Sequence, residues 1–195
     1  MVGESYSGEF WDLSVHKAER MNLYRASGVG DLKSKIKPTE GNNLLVKADQ
    51  EGTYLFALQS NAAYIEQEGE KFNEYLKEDG LDYILDERAQ LNILQKPSRE
   101  FYTRYAKLLV QAGSKSDDTF KRTVGFRYEV TPLQNPYLLK LGDHLQCQIS
   151  YGGKPAPHAL VKVWNKVNGT TFLQNIYTET DGTIRFPISA AGPWM

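Results

Sequence analysis

Apolar and polar side chains alternate with a period of two along much of the chain, and the alternation is cleanest in the last third. There, residues 127–131 read as a strand stopped by Pro132, 144–151 as a second, 158–166 as a third and 183–188 as a fourth. In the third strand Leu160 and Trp164 share one face and Val161 and Val163 the other; Leu160, Trp164, Ile184 and Phe186 are the expected core. Gln134-Asn135-Pro136, Leu141-Gly142-Asp143 and Gly152-Gly153-Lys154-Pro155 supply turns, and Asn168-Gly169 and Asp181-Gly182 are hairpin signals. Short strands at this spacing predict a Greek-key sandwich.

The first two thirds are less regular. Residues 19–26 alternate weakly, and Gly28-Val29-Gly30-Asp31 reads as a break. Residues 43–48 and 53–59 predict two strands joined by the loop Asp49-Gln50-Glu51-Gly52. Between 66 and 91 the period changes to that of a helix: Phe72, Tyr75 and Leu76 recur at i, i+3, i+4, as do Leu81, Ile84 and Leu85, with Asp79-Gly80 between them. This predicts two short amphipathic helices inserted in a β-domain. Asp82 and Asp86 sit at i, i+4 on the wet face, with no third ligand in the helix. Residues 99–112 fit a helical stripe through Phe101, Tyr105, Leu108 and Leu109, but Pro97 and the alternation of 106–111 favour a strand. The fold class is therefore mainly β, with two β-sandwich-like domains. The first, residues 1–126, carries the helical insertion at about 66–91; the second covers 127–195. Ala190 to Met195 reads as a turn entering a further strand, so the second domain is expected to be truncated in its last strand.

Composition narrows the function classes. With 23 basic and 24 acidic residues among 195, the formal net charge is −1. That balance gives no drive toward nucleic acid or an anionic membrane. No apolar run approaches the ~20 residues of a membrane span, and Met1 is not followed by a signal peptide. A single cysteine, Cys147, excludes an intrachain disulfide and a cysteine zinc cluster. Its alternating setting makes it a small core residue.

Two resemblances add to this. Gly153 to Trp164, Thr180 to Ile188 and Gly192-Pro193-Trp194 resemble the transthyretin-like or carboxypeptidase-regulatory-like sandwich, an accessory module with no activity of its own. Over nearly all its length the chain resembles a bacterial periplasmic family of unknown function associated with nickel or cobalt uptake (NikM-like). The carrying residues are Gly3 to Glu9, Glu19-Arg20-Met21, Glu51 to Tyr54, Arg99 to Tyr102, Gln134 to Tyr137 and, most distinctively, Lys71 to Asp82. The resemblance implies export to the periplasm, a divalent transition metal such as nickel or cobalt as cofactor, and a membrane transporter or outer-membrane receptor as partner. Members begin with a signal peptide and a strand containing His and Trp, and they complete a final strand; this sequence shows neither.

Candidate chemistry is sparse. The three histidines, His144, His158 and His16, are the candidate metal ligands, because imidazole suits nickel and cobalt. His144 and His158 are expected on or beside adjacent strands and His16 far away; no two have ligand spacing, and an ordinary surface role is the commoner use of each. Trp11, Phe10, Tyr6 and Tyr64 near predicted loops are candidates for a surface that binds protein or polysaccharide, although core packing is the commoner fate of aromatics. No nucleophile–base–orienter motif is present: Ser14 and His16 are only two apart, and Gly28-Val29-Gly30 lacks the rest of a dinucleotide motif. The sequence predicts no enzyme. It predicts a periplasmic ligand- or partner-binding protein accessory to metal uptake, or a structural adaptor with no metal role.

Overall fold

The computed structural model describes residue 6, residues 17–36 and residues 44–195. The expected mainly β class holds: twelve strands in antiparallel sheets and two α-helices make a sandwich-like fold among these residues. The chain divides into two compact units, 62–103 and the remainder.

In the larger unit, β1 (Ala18–Arg25), β2 (Gly28–Asp31), β3 (Gly52–Ser60) and β6 (Tyr105–Ala112) form one sheet in the order β2-β1-β3-β6. Gly28–Asp31 is thus a strand and not the break its glycines suggest; it pairs with β1 through Arg25↔Gly28 to Asn22↔Asp31. The period of two gives the sheet two apolar faces. Tyr24, Leu55 and Ala57 lie on one, covered by Val124 and Phe126. Leu23, Tyr54 and Phe56 lie on the other, covered by Leu32, Leu44 and Val46. Leu44 and Val46 belong to a stretch with no strand pairing, which corrects the strand expected over 43–48. Its alternation records which side chains face the sheet, and Leu45 between them is 96% exposed.

Next come β7 (Tyr128–Pro132), β8 (His144–Tyr151), β9 (Lys154–Pro155), β10 (Leu160–Val167), β11 (Thr170–Tyr177) and β12 (Thr183–Pro187). One sheet runs β12-β8-β7 with β9 beside β8, and another pairs β10 with β11. Leu145, Cys147 and Ile149 of β8, Val163 of β10, and Ile184 and Phe186 of β12 share one core, as two sheets packed face to face require. Two of the four expected core residues are therefore in place. The other two need correction: Val161 and Val163 supply the inner face of β10, and Leu160 and Trp164 are half-buried on its other side.

Asn168 and Gly169 close the β10–β11 hairpin with φ of 49° and 84°, the two positive values a tight two-residue turn needs. Asp181-Gly182 closes a turn, Gly182 N–H donating to Glu179 O at 2.8 Å, but not a hairpin. The strands on either side pair elsewhere, β11 with β10 and β12 with β8, so the turn carries the chain from one sheet to the other. Trp164 N–H donates to Met195 O at 2.7 Å and Met195 N–H to Trp164 O at 2.9 Å, so Trp194 and Met195 make an isolated antiparallel bridge to β10.

The smaller unit holds β4 (Ala63–Gln67), α1 (Gly69–Glu78), α2 (Asp82–Gln90) and β5 (Ser98–Tyr102). The helical insertion expected at 66–91 is present, flanked by strands that pair through Ala63↔Tyr102 to Gln67↔Ser98. Residues 99–112 are extended as expected, but as two strands, β5 and β6, broken at Thr103 and Arg104.

Candidate functional site

The alternation that points Cys147 and Ile149 into the core points Gln148 and Ser150 to the opposite face of β8. Directly across on β7 stand Thr131 and Glu129, paired in register with Gln148 and Ser150. This polar face forms one wall of a cleft of about 720 Å³ within the larger unit. The other wall carries Gln59 at the end of β3, Tyr105 at the start of β6, and Phe126. The Tyr105 and Phe126 rings meet at 5.1 Å between centroids. The hairpin glycines Gly152 and Gly153 edge the opening.

Glu129 is the one acidic residue in its lining, with its side chain only 3% exposed. Oε1 accepts the Val124 N–H at 2.7 Å and Lys107 Nζ at 2.9 Å; Oε2 accepts the Gly125 N–H at 3.0 Å and the Phe126 N–H at 3.2 Å. Lys107 Nζ also donates to Arg122 O at 3.0 Å. Burial pushes the Lys107 ammonium below its ordinary range, against the upward pull of Glu129. With both carboxylate oxygens occupied, the pair fixes the 122–126 segment over the sheet. Sequence reading missed Glu129, because its partners are backbone N–H groups of a loop and a lysine 22 residues away. The one local signal is an acid inside a strand.

Cys147 stays on the far side of β8, and burial pushes its thiol up to about 12, with Lys107 pulling the other way. The folded state keeps the thiol proton longer than the unfolded chain does. Its contribution to stability is complete below the ordinary value of 9.0 and is lost as pH rises from there to about 12. The native protein should leave a disulfide-exchange reagent unreacted at pH 8 and release one thiol per chain on denaturation. Denaturation midpoints against pH should fall more steeply above 9 for the wild type than for Cys147→Ala; parallel curves would refute the assignment.

The sequence-predicted residues that lie among the described ones do not converge. His144 opens β8 opposite Pro187 and is exposed. His158, also exposed, follows Ala156, whose N–H bonds Ile149 O near the other end of β8. Five strand residues, roughly 16 Å, lie between those levels. Among the described residues no group of three or more His, Cys, Asp or Glu side chains is arranged to hold a metal ion. His16, Phe10 and Trp11 lie outside the described residues. Tyr6 is half-buried, its hydroxyl donating to Trp164 O at 3.3 Å, and burial raises its pKa. Tyr64 is 52% exposed on β4 and packs against Phe101, 76% exposed on β5, at 5.3 Å between centroids. Beside them Glu66 and Arg99 pair across the strands at 3.2 Å, all four on one face of the β4–β5 sheet.

Residues 5–195 match the model of the family described as "Domain of unknown function (DUF4198)". No curated protein and no solved structure matches the chain. No helix among the described residues is long and apolar enough to cross a membrane.

Proposed function

The chain belongs to the DUF4198 family, and from that premise we propose that it is a non-catalytic periplasmic binding module whose cleft seats a small polar organic ligand. The observation that carries this reading is the cleft's construction. Its volume of about 720 Å³ suits a small molecule. The half-buried Tyr105 ring, packed on the buried Phe126, faces a polar wall of Gln148, Ser150 and Thr131. Such a pairing of ring surface with convergent polar groups favours binding and orientation. The acid in its lining is held by four donors, which argues for a structural carboxylate over a general base. The periplasmic setting rests on the family resemblance alone.

Melting temperature measured against a panel of sugars, amino acids and carboxylates, with nickel and cobalt ions as further arms, tests the reading. A ligand at 100 times its Kd should add about 2.7 kcal/mol of stability, and Ser150→Trp, which fills the cleft, should abolish the shift. If every shift survives Ser150→Trp, or none occurs, the cleft is not the seat. A shift by nickel or cobalt alone, lost in His144→Ala or His158→Ala, would favour an accessory role in metal uptake instead.

A second reading, an adaptor that binds protein or polysaccharide without metal, is favoured by the exposed Tyr64–Phe101 pair. Retardation on polysaccharide gels that is lost in Tyr64→Ala but kept in Ser150→Trp would select it.

A further inference from the structure

The sheet of β10 and β11 ends in an open edge. On β10 the N–H groups of Trp164 and Lys166 turn away from β11, donating to Met195 O at 2.7 Å and Pro193 O at 3.2 Å. Hydrogen bonding alternates along a strand, so Val161, Val163 and Asn165 are the β10 residues that bond to β11, through their register partners Ile176, Gln174 and Phe172. The backbone N–H and C=O groups of Leu173, Asn175 and Tyr177 therefore point out of the sheet. No strand among the described residues pairs with β11 on that side, and these three residues have no hydrogen-bond partner there among the described residues.

Sheet edges of this length are usually guarded by charge, by proline or by a covering segment. β12 is short and ends on Pro187, and the edge strand β6 carries Lys107 and has Leu109 O bonded by the Tyr137 hydroxyl at 2.7 Å. β11, Thr170–Tyr177, has neither a charged residue nor a proline, and Phe172, Leu173 and Tyr177 on it are exposed. Its sequence is also complementary to itself. Two copies laid antiparallel about a two-fold axis at Gln174 bring the outward-pointing groups of Leu173 and Asn175 opposite each other on both sides of the axis. On the alternate face the exposed Phe172 ring meets Ile176 of the second copy, and Gln174 meets its own counterpart, amide to amide. An uncharged strand makes no like-charge contact across such an axis.

We infer that β11 is a docking edge for a second copy of this chain, the two strands pairing antiparallel about Gln174 and joining the two β10–β11 sheets into one. The same edge is used by both copies, so the assembly closes at two. One strand pair covers less than the roughly 1,200–2,000 Å² of a stable interface, so association is weak and depends on concentration. The inference stands apart from the cleft, which no residue of β11 lines. It is tested on the full chain by sedimentation equilibrium, where the mass should rise from one chain toward two between about 10 μM and 1 mM. Leu173→Pro removes an N–H that has no partner in the single chain, and Asn175→Lys sets like charges beside the axis. Each should raise the association midpoint about tenfold or more while the melting temperature of the dilute protein is unchanged. Gln174→Cys should form a disulfide-linked dimer on mild oxidation, because non-hydrogen-bonded antiparallel partners stand about 4.5 Å apart at Cα and the native Cys147 is buried. Phe172→Cys, opposite Ile176, should not. A single-chain mass throughout the range, with no cross-link in Gln174→Cys, would overturn the pairing and leave the edge to a strand of another protein. Association unchanged in both Leu173→Pro and Asn175→Lys would put the interface elsewhere and overturn it equally.

Discussion

Glu129→Ala should cost the larger unit roughly 3–5 kcal/mol, the range for removing one partner of a buried ion pair. The size follows from what the carboxylate holds. Its loss leaves the N–H groups of Val124, Gly125 and Phe126 without their acceptor and strands the Lys107 ammonium, whose side chain is 11% exposed. Val124 and Phe126 cap the Tyr24–Leu55–Ala57 face of the sheet, so release of the loop uncovers apolar surface as well. Lys107→Met should cost less, because it keeps three of the four donors on Glu129. Glu129→Gln should resemble Glu129→Ala, since its amide turns a donor toward donors. Urea denaturation of the three variants measures this. A shift below about 1 kcal/mol for Glu129→Ala would show that the loop is held by packing alone.

Arg88→Ala should have an effect of similar size in the smaller unit, about 3 kcal/mol. Arg88 is a buried guanidinium on α2. It donates to Asn73 Oδ1 at 2.9 Å, Ile93 O at 3.0 Å and Lys96 O at 2.8 Å, and it stacks over Phe72 at 4.9 Å. One planar group therefore fastens α1 and the segment between α2 and β5. Arg88→Lys should rescue little, because an ammonium cannot span those acceptors or stack in the same way. Limited proteolysis should open cleavage sites between residues 69 and 98 in both variants. Resistance equal to the wild type would sink the assignment.

How far the sequence could be read depended on the range of the forces involved. Asn168-Gly169 was readable because its turn is a local backbone demand, met within two residues. The helices of 66–91 were readable from the spacing of Phe72, Tyr75 and Leu76 along one stripe. Residues 43–48 misled because alternation reports burial: Leu44 and Val46 face the sheet without joining it. Gly28 and Gly30 misled in the other direction, since an edge strand tolerates residues that a central one does not. In β10 the alternation was right and the choice of inner face was not, because bulk favoured Trp164 whereas register put Val163 inside. The cleft was half legible. The alternation around Cys147 puts Gln148 and Ser150 on the polar side of β8, but nothing local shows that Tyr105, 45 residues before Ser150, lines the same cleft. His144 and His158 drew notice for their chemistry, while the buried charges among the described residues, Glu129 and Arg88, looked like ordinary surface residues.

The junction at Ser60 and Arg104 bears on how this family can vary. β3 and β6 are neighbours in one sheet, and Ser60 N–H donates to Arg104 O at 2.9 Å while Arg104 N–H donates to Ser60 Oγ at 2.8 Å. The 42 residues from 62 to 103 therefore depart from and return to almost the same point. In topological terms they are an overgrown hairpin loop, and the closure entropy of such a loop rises only slowly with its length. Lengthening or exchanging that segment would therefore leave the β3–β6 register in place, which makes this position a natural port for acquiring new specificity.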